Sequence, residues 1–275
     1  MSDERTAGAG RVTLVGGGPG DVGLLTVAAR DALATAHVVL YDRLSPHANL
    51  RELSPAATLI NVGKLPGNHP VSQTGIEDLI VSHALAGAHV VRLKGGDPYV
   101  FGRGSEEVLA CHANGIPVSV LSGVTSALAV PAAAGIPLTH RGLSHSFTVI
   151  SGHAPLAVNE LQALCLLGGT IVVLMGVGTL PTLTQGLIRH GMTPAMPVAI
   201  IENGFSQNQR TTIATLATVL TEAALTKVSS PAVLVIGQVV TLAYSADASA
   251  EELMVRASRL TDLVPAAGIG VRGAE

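Results

Sequence analysis

A chain of 275 residues, 48% of them hydrophobic, can bury a sizeable core as one large or two modest domains, which excludes disorder as its main character. A formal net charge of −3, no Trp and only three Tyr and three Phe argue against a nucleic-acid surface with stacking platforms. Polar residues break every apolar run before about 18 positions, so no membrane span is expected, and Cys111 and Cys165 fit neither a disulfide framework nor a zinc pattern.

The polar start MSDERTAGAGR lacks the apolar stretch of a secretory signal and reads as a frayed extension over residues 1–10, in a protein of the reducing cytosol. Strands are then predicted at 12–17 (VTLVGG), 37–42 (HVVLYD), 58–63 (TLINVG), 89–97 (HVVRLKGGD) and 117–123 (PVSVLSG). Helices are predicted near 24–36, 73–87, 104–114 and 125–134. This alternation is the α/β signature, with mostly parallel, buried strands. After the punctuation GIPLTHRG at 135–142 the pattern restarts with strands at 146–151, 170–176, 197–204, 209–214 and 231–240. Two α/β domains over 11–140 and 141–245 are therefore expected, followed by a peripheral helix and Gly-rich tail over 246–275.

The first strand runs into GGGPGD, Gly16 to Asp21, where glycine permits positive φ and close approach of a ligand. The dinucleotide fingerprint GxGxxG fails here, because Asp21 stands where its last glycine belongs. Nor is Gly63-Lys64 a P-loop, since Leu65 replaces the Ser or Thr that would bind magnesium. More informative is VVRLKGGDPYVFGRGSEE at 90–107. A strand ends there in a Gly-Gly-Asp turn that offers backbone donors and a carboxylate together, suited to a ligand with hydroxyl and amino groups. Asp97 as a cap of its own turn, and Glu106 and Glu107 as ordinary helix-start acids, remain the plain alternatives. In SGVTSALAVPAAAGIPLTHRG at 122–142, Thr125 and Ser126 stand at a strand end before a helix of small residues. Thr125 reads as a helix cap or a ligand contact, and His140-Arg141 as a solvated pair or an anion site.

These segments together, with YDRL at 41–44, GK at 63–64, HPVSQ at 69–73, SGH at 151–153, LMG at 174–176, ENG at 202–204, QR at 209–210 and SSPAVLVIGQVV at 229–240, resemble the uroporphyrinogen-III C-methyltransferases of the tetrapyrrole methyltransferase family. The resemblance covers roughly residues 11–245. It implies a homodimer of two-domain chains of the class III methyltransferase fold, with S-adenosylmethionine in the cleft between the domains and a tetrapyrrole in an adjoining trough. Carried over position by position, the cofactor contacts fall on Pro19, Gly95, Gly96, Asp97, Val100, Thr125, Ser126, Met175 and Gly204. Asp42 and Lys64 match the proton acceptor and donor, while Arg43, Arg103, His140 and Arg141 match candidates for the substrate carboxylates. The implied activity is methyl transfer to C2 and C7 of uroporphyrinogen III, giving precorrin-2 and S-adenosylhomocysteine for siroheme, cobalamin or heme d1 synthesis, with no metal. Another precorrin C-methyltransferase and a non-catalytic cofactor- or tetrapyrrole-binding domain stay open as alternatives.

Overall fold

The computed structural model describes residues 10–63 and 71–243. The N-terminal extension up to residue 9, Lys64 and the expected C-terminal helix over 246–275 lie outside the described residues. The chain divides into two compact units, one of residues up to Val130 together with Gly204–Gln209, the other of Pro131–Asn203 and the chain from Arg210 onward. The division falls at Pro131, inside a helix, some way before the GIPLTHRG punctuation at which the sequence places a boundary.

In the first unit the elements alternate strictly: β1 (Arg11–Gly16), α1 (Val27–Ala34), β2 (Val38–Tyr41), α2 (Leu50–Leu53), β3 (Thr58–Asn61), α3 (Gln73–Leu85), β4 (His89–Lys94), α4 (Gly104–Ala113), β5 (Val118–Leu121) and α5 (Ser126–Ala133). The strands line up as β3-β2-β4-β1-β5, every pair parallel. Alternate strand residues go to opposite faces. Val12, Leu14, Val38, Leu40 and Val90 pack under Ile76 and Ile80 of α3 and Cys111 of α4. Val15, Val39, Val91 and Leu93 pack under Ala29 and Leu33 of α1 and Leu50 of α2. Burial, and then the charge of Glu107, pushes the Cys111 thiol up to about 11, which makes it an inert core residue.

Because α1 and α4 lie on opposite faces, the chain leaves the adjacent strands β1 and β4 in opposite directions. This is the topological switch point of the sheet, where open α/β folds bind ligands at the strand C-terminal ends.

The second unit contains β6 (Phe147–Ser151), α6 (Val158–Leu167), β7 (Thr170–Leu174), α7 (Leu180–Arg189), β8 (Pro197–Glu202), β9 (Arg210–Thr215), α8 (Val219–Leu225) and β10 (Ala232–Ile236). Its core joins Ile171, Val173, Val198, Ile200, Leu234 and Ile236 of the sheet to Leu161, Leu164, Leu183, Leu187 and Val219 of the three helices. The α/β class holds here, but strand direction departs from the expectation of a mostly parallel sheet. In the order β6-β7-β10-β8-β9 only β6 and β7 run parallel, and the other three pairs are antiparallel. A parallel crossover takes a dozen or more residues, and the segment between Glu202 and Arg210 is too short for one. The expected strand over 231–240 stops at Ile236, and Gln238–Leu242 turns into a 3-10 helix.

At the N-terminal edge of the first sheet, His89 is buried with its ring against Thr13 Oγ1 at 3.1 Å, Arg11 Nη2 at 3.2 Å and the Thr35 carbonyl at 3.1 Å. Burial pulls its pKa down, against the Thr35 carbonyl, and the charges of Arg11 and His37 add to the lowering. A depressed histidine leaves the unfolded chain binding more protons below its own value of about 6.5. Stability is therefore expected to be complete above that pH and to fall as the pH drops through the folded-state value. Urea midpoints measured from pH 7.5 to 5 should decline more steeply in the wild-type chain than in His89→Gln, and equal slopes would remove His89 as the cause.

Candidate active site

Three loops leave the switch-point edge of the first sheet and touch through glycines. A hydrogen-bonded bridge joins the first two, with Gly96 N–H donating to Gly18 O at 2.7 Å and Gly18 N–H to Gly96 O at 3.2 Å, while Gly17 N–H donates to Lys94 O at 2.7 Å. The third loop, after β5, enters at Gly123. A Cβ there would lie 2.6 Å from Gly16 Cα and closer still to the Gly96 carbonyl, so only glycine admits this backbone contact. Asp97 ties the same loops together, its Oδ1 accepting from Tyr99 N–H at 2.8 Å and its Oδ2 from Gly123 N–H at 3.1 Å. It thus caps its own turn and also links the β4 and β5 loops.

Gly96 itself differs from its neighbours. Its φ is +67°, and a Cβ there would meet nothing nearer than Ser126 N at 3.9 Å, at the start of α5. The bare side of this turn therefore faces the N-terminus of α5 with room for a ligand atom between them. Pro19, Gly95, Gly96, Asp97, Val100 and Thr125 all belong to these three loops, and Ser126 opens α5 directly after the third. Among them the Thr125 hydroxyl accepts from Ala127 N–H at 3.3 Å, so Thr125 does take up the start of α5.

Asp42 follows β2 on the same edge, 29% exposed at its side chain. Its Oδ1 accepts from Leu44 N–H and Ser45 N–H, each at 3.1 Å, and Gly95 N–H stands 3.3 Å from both oxygens. The expected proton acceptor thereby touches the expected cofactor turn directly. Arg43 is exposed, and its backbone packs on Gly63, where a Cβ would lie 2.7 Å from Arg43 N. Just before α4 the FGRG segment, with Pro98, Tyr99, Phe101 and Arg103, lines an open hollow of about 340 Å³. Arg103 donates to both Glu106 oxygens, at 2.8 and 2.7 Å, so a substrate carboxylate there would share the guanidinium with Glu106.

Glu107 is not the solvent-facing helix-start acid that its position predicts. It is fully buried, and one oxygen, Oε1, accepts from Arg92 Nε at 3.1 Å and from Lys94 Nζ at 2.8 Å. Burial and the Arg92 charge depress the Lys94 pKa, against the pull of Glu107. The sequence carried a signal: Arg92 and Lys94 alternate within an otherwise apolar central strand, so both point to one buried face and require a counter-ion.

In the second unit, the ends of β6 and β7 also meet through glycine, since a Cβ on Gly152 would lie 2.5 Å from Gly176 Cα. Met175 follows β7 at φ +60° with 47% exposure, a left-handed, exposed thioether of the kind found at functional positions. His140 and Arg141 occupy a tight turn closed by the pairing of His140 with Ser144, with Arg141 exposed. Glu202 anchors the ENG segment: it takes a bidentate pair from Arg210, both contacts at 2.8 Å, and accepts from Ser229 N–H at 2.9 Å. Gly204 clusters with the first unit, where a Cβ would strike Val130 Cγ2 at 2.6 Å. Among the described residues no group of His, Cys, Asp or Glu is arranged to hold a metal ion.

An open α/β sheet with glycine loops locked at its switch point and an aspartate beside them marks a candidate small-molecule enzyme site. The family model of Tetrapyrrole (Corrin/Porphyrin) Methylases matches residues 11–220, and the chain belongs to that family. It is 47% identical over 237 residues to the S-adenosyl-L-methionine-dependent uroporphyrinogen III methyltransferase of Methanosarcina barkeri (strain Fusaro / DSM 804), covering 85% of this chain and 93% of that one. It is 44% identical to the siroheme synthase of Edwardsiella ictaluri (strain 93-146), of whose length it spans 50%, against 85% of its own. Among solved structures, the uroporphyrin-III C-methyl transferase from Thermus thermophilus complexed with S-adenyl homocysteine superposes with a TM-score of 0.70. It is 42% identical, with 85% of this chain and all of that one covered.

Proposed function

We propose that this chain transfers methyl groups from S-adenosylmethionine to C2 and C7 of uroporphyrinogen III, giving precorrin-2, the branch-point tetrapyrrole of siroheme and cobalamin synthesis. One observation carries the reading within the family: Asp42, the candidate proton acceptor, is hydrogen-bonded to the Gly95 N–H of the glycine turn that would hold the cofactor.

When bound, S-adenosylmethionine supplies an electrophilic sulfonium methyl. The loops bearing Pro19, Gly95, Gly96, Asp97, Val100, Thr125 and Ser126, together with Gly204 and with Met175 of the second unit, are the proposed contacts that fix its orientation. Holding a pyrrole carbon in line with the methyl offsets about 7–11 kcal/mol of the barrier. Transfer would break the sulfur–methyl bond, leave S-adenosylhomocysteine and place positive charge on the macrocycle, and Asp42 is the residue positioned to stabilise that charge and accept the departing proton. Arg43, Arg103, His140 and Arg141 are the proposed partners of the macrocycle carboxylates, Arg103 beside the exposed rings of Tyr99 and Phe101. Lys64 is the proposed proton donor.

The test is anaerobic incubation of the purified chain with uroporphyrinogen III and methyl-labelled S-adenosylmethionine, followed by mass analysis of the tetrapyrrole. Two added methyl groups are expected. No added methyl, with the cofactor still bound, would instead identify a binding domain without catalysis.

We also infer a cytosolic homodimer, the closed two-fold assembly most common among soluble enzymes. Among the described residues no helix is long and apolar enough to cross a membrane. Light scattering should give a mass near twice 27.8 kDa, and a fully active monomer would refute the dimer.

A further inference from the structure

We infer that Arg92, fixed by Glu107, is a positioning residue for Asp42, an inference that rests on the reading of Asp42 as the proton acceptor. Arg92 and Lys94 stand on the α4 face of β4 with only 4% of their surface exposed, and Glu107 is fully enclosed between them and its helix. Such charges are costly to bury, and apolar side chains of similar size commonly serve stability as well or better. Their use is found in where the guanidinium is aimed.

Each branch of Arg92 has its own anchor. Nε donates to Glu107 Oε1 at 3.1 Å, Nη1 donates to Leu93 O at 2.8 Å with Leu40 O at 3.4 Å, and Nη2 lies 3.7 Å from Asp42 Oδ2. Leu40 is also the Cα partner of Arg92 in the β2–β4 register, so the fork spans the strand pair just before β2 ends at Tyr41 and the chain reaches Asp42. A planar fork can be held this way at three places, whereas an ammonium cannot. Lys94 completes the arrangement by sharing Glu107 Oε1, which balances Arg92 and Lys94 against Glu107 and Asp42. Glu107 Oε2 has no hydrogen-bond partner among the described residues, so this carboxylate holds both cations through a single oxygen.

The consequence falls on the two oxygens of Asp42 unequally. Oδ1 is held by the Leu44 and Ser45 amides, while among the described residues Oδ2 has the shared Gly95 N–H and, as its nearest cation, Arg92, with the Lys94 charge also acting on Asp42. A separation of 3.7 Å is too long for a hydrogen bond, so the interaction is Coulombic. Oδ2 is thus oriented by the guanidinium without being hydrogen-bonded to it, which leaves a lone pair open toward the site. Remove the guanidinium and Asp42 keeps its amide contacts but loses the group that sets the second oxygen.

The experiment is a double-mutant cycle with uroporphyrinogen III as substrate. In Arg92→Met, Glu107 keeps Lys94 as its counter-ion, so the fold and the calorimetric affinity for S-adenosylmethionine should persist. kcat should fall roughly 10–100-fold, the scale of a misplaced catalytic group. In the Asp42→Asn background the same replacement should change kcat by less than about twofold, because the group it positions is already gone. Arg92→Lys, which keeps a buried positive charge, goes through the same cycle, so that a failure of Arg92→Met to fold leaves the comparison intact. Equal losses in both backgrounds would overturn the inference and leave Asp42's own role standing. A wild-type rate in Asp42→Asn alone would remove that role, and the inference with it.

Discussion

Gly123→Ala should lose more than about 100-fold in affinity for S-adenosylmethionine while its far-ultraviolet circular dichroism stays native. The new methyl group would have to occupy space already held by the Gly16 backbone and the Gly96 carbonyl, all main-chain atoms with no rotamer to adopt. The loops after β1, β4 and β5 must therefore part. Overpacking of this kind costs about 1–3 kcal/mol in stability, which for a chain of this size lowers Tm by roughly 2–12 °C. Affinity suffers more than stability, because a displacement of about 1 Å in a positioning loop is enough for a 100-fold effect.

Two other glycines separate the site from the backbone cost. Gly96 and Gly115 share a φ of +67°, and both have room for a side chain: a Cβ on Gly115 would meet nothing within 4 Å, and one on Gly96 only Ser126 N at 3.9 Å. Gly96→Ala and Gly115→Ala should thus lose similar stability, about 1–2 kcal/mol for a left-handed alanine. Only Gly96→Ala should weaken cofactor binding, as measured by calorimetry. Equal affinities in the two variants would take the Gly95-Gly96-Asp97 turn out of the site.

The strands of the first unit are legible in the sequence because each is a short β-branched run bounded by Gly, Pro or Asp, and the helices between them fix the parallel order. Direction in the second sheet is not legible from the runs themselves, since a buried antiparallel strand such as Val198–Ile201 reads like a parallel one. The short link from Glu202 to Arg210 is the available signal. At the site, glycine spacing points to the correct loops, but not to their mutual contacts, which depend on strand order. Asp97 shows the gap well. Its bond to Tyr99 N–H is local and can be read from an Asp-Pro turn, whereas its bond to Gly123 N–H spans 26 positions. Glu107 escapes a reading of the sequence for the opposite reason, as a helix-start acid already has a sufficient local explanation and so hides a long-range one. Where His140, Arg141 and Met175 stand toward a substrate follows from the family resemblance alone.

Asp42→Asn should lower methyl transfer by about 10²–10⁴-fold, the usual loss when a general base is removed. The change is nearly isosteric, and its structural cost can be bounded from the contacts. Asn can keep its carbonyl oxygen in the Oδ1 place, still accepting from Leu44 and Ser45 N–H, so the turn after β2 should form. Its amide nitrogen then replaces Oδ2 and presents N–H groups to Gly95 N–H and to the Arg92 guanidinium, donor against donor. One lost hydrogen bond to a charged group is worth about 1.5–3 kcal/mol, which a core of this size tolerates. Glu107 still accepts from both Arg92 and Lys94, so each cation keeps a partner although the cluster gains one net positive charge. Cofactor affinity should move only a few-fold, through the slackened Gly95 contact, and the large effect should be on kcat. A fall of less than about tenfold would leave Asp42 as an orienting charge without proton transfer, below the range of general-base catalysis. Loss of the native circular dichroism spectrum would make it a turn-building carboxylate, satisfying backbone donors and nothing more. A wild-type single-turnover rate with uroporphyrinogen III would exclude Asp42 from the chemistry altogether, and the proton would then have to be taken by another group, with Lys64 the first to replace.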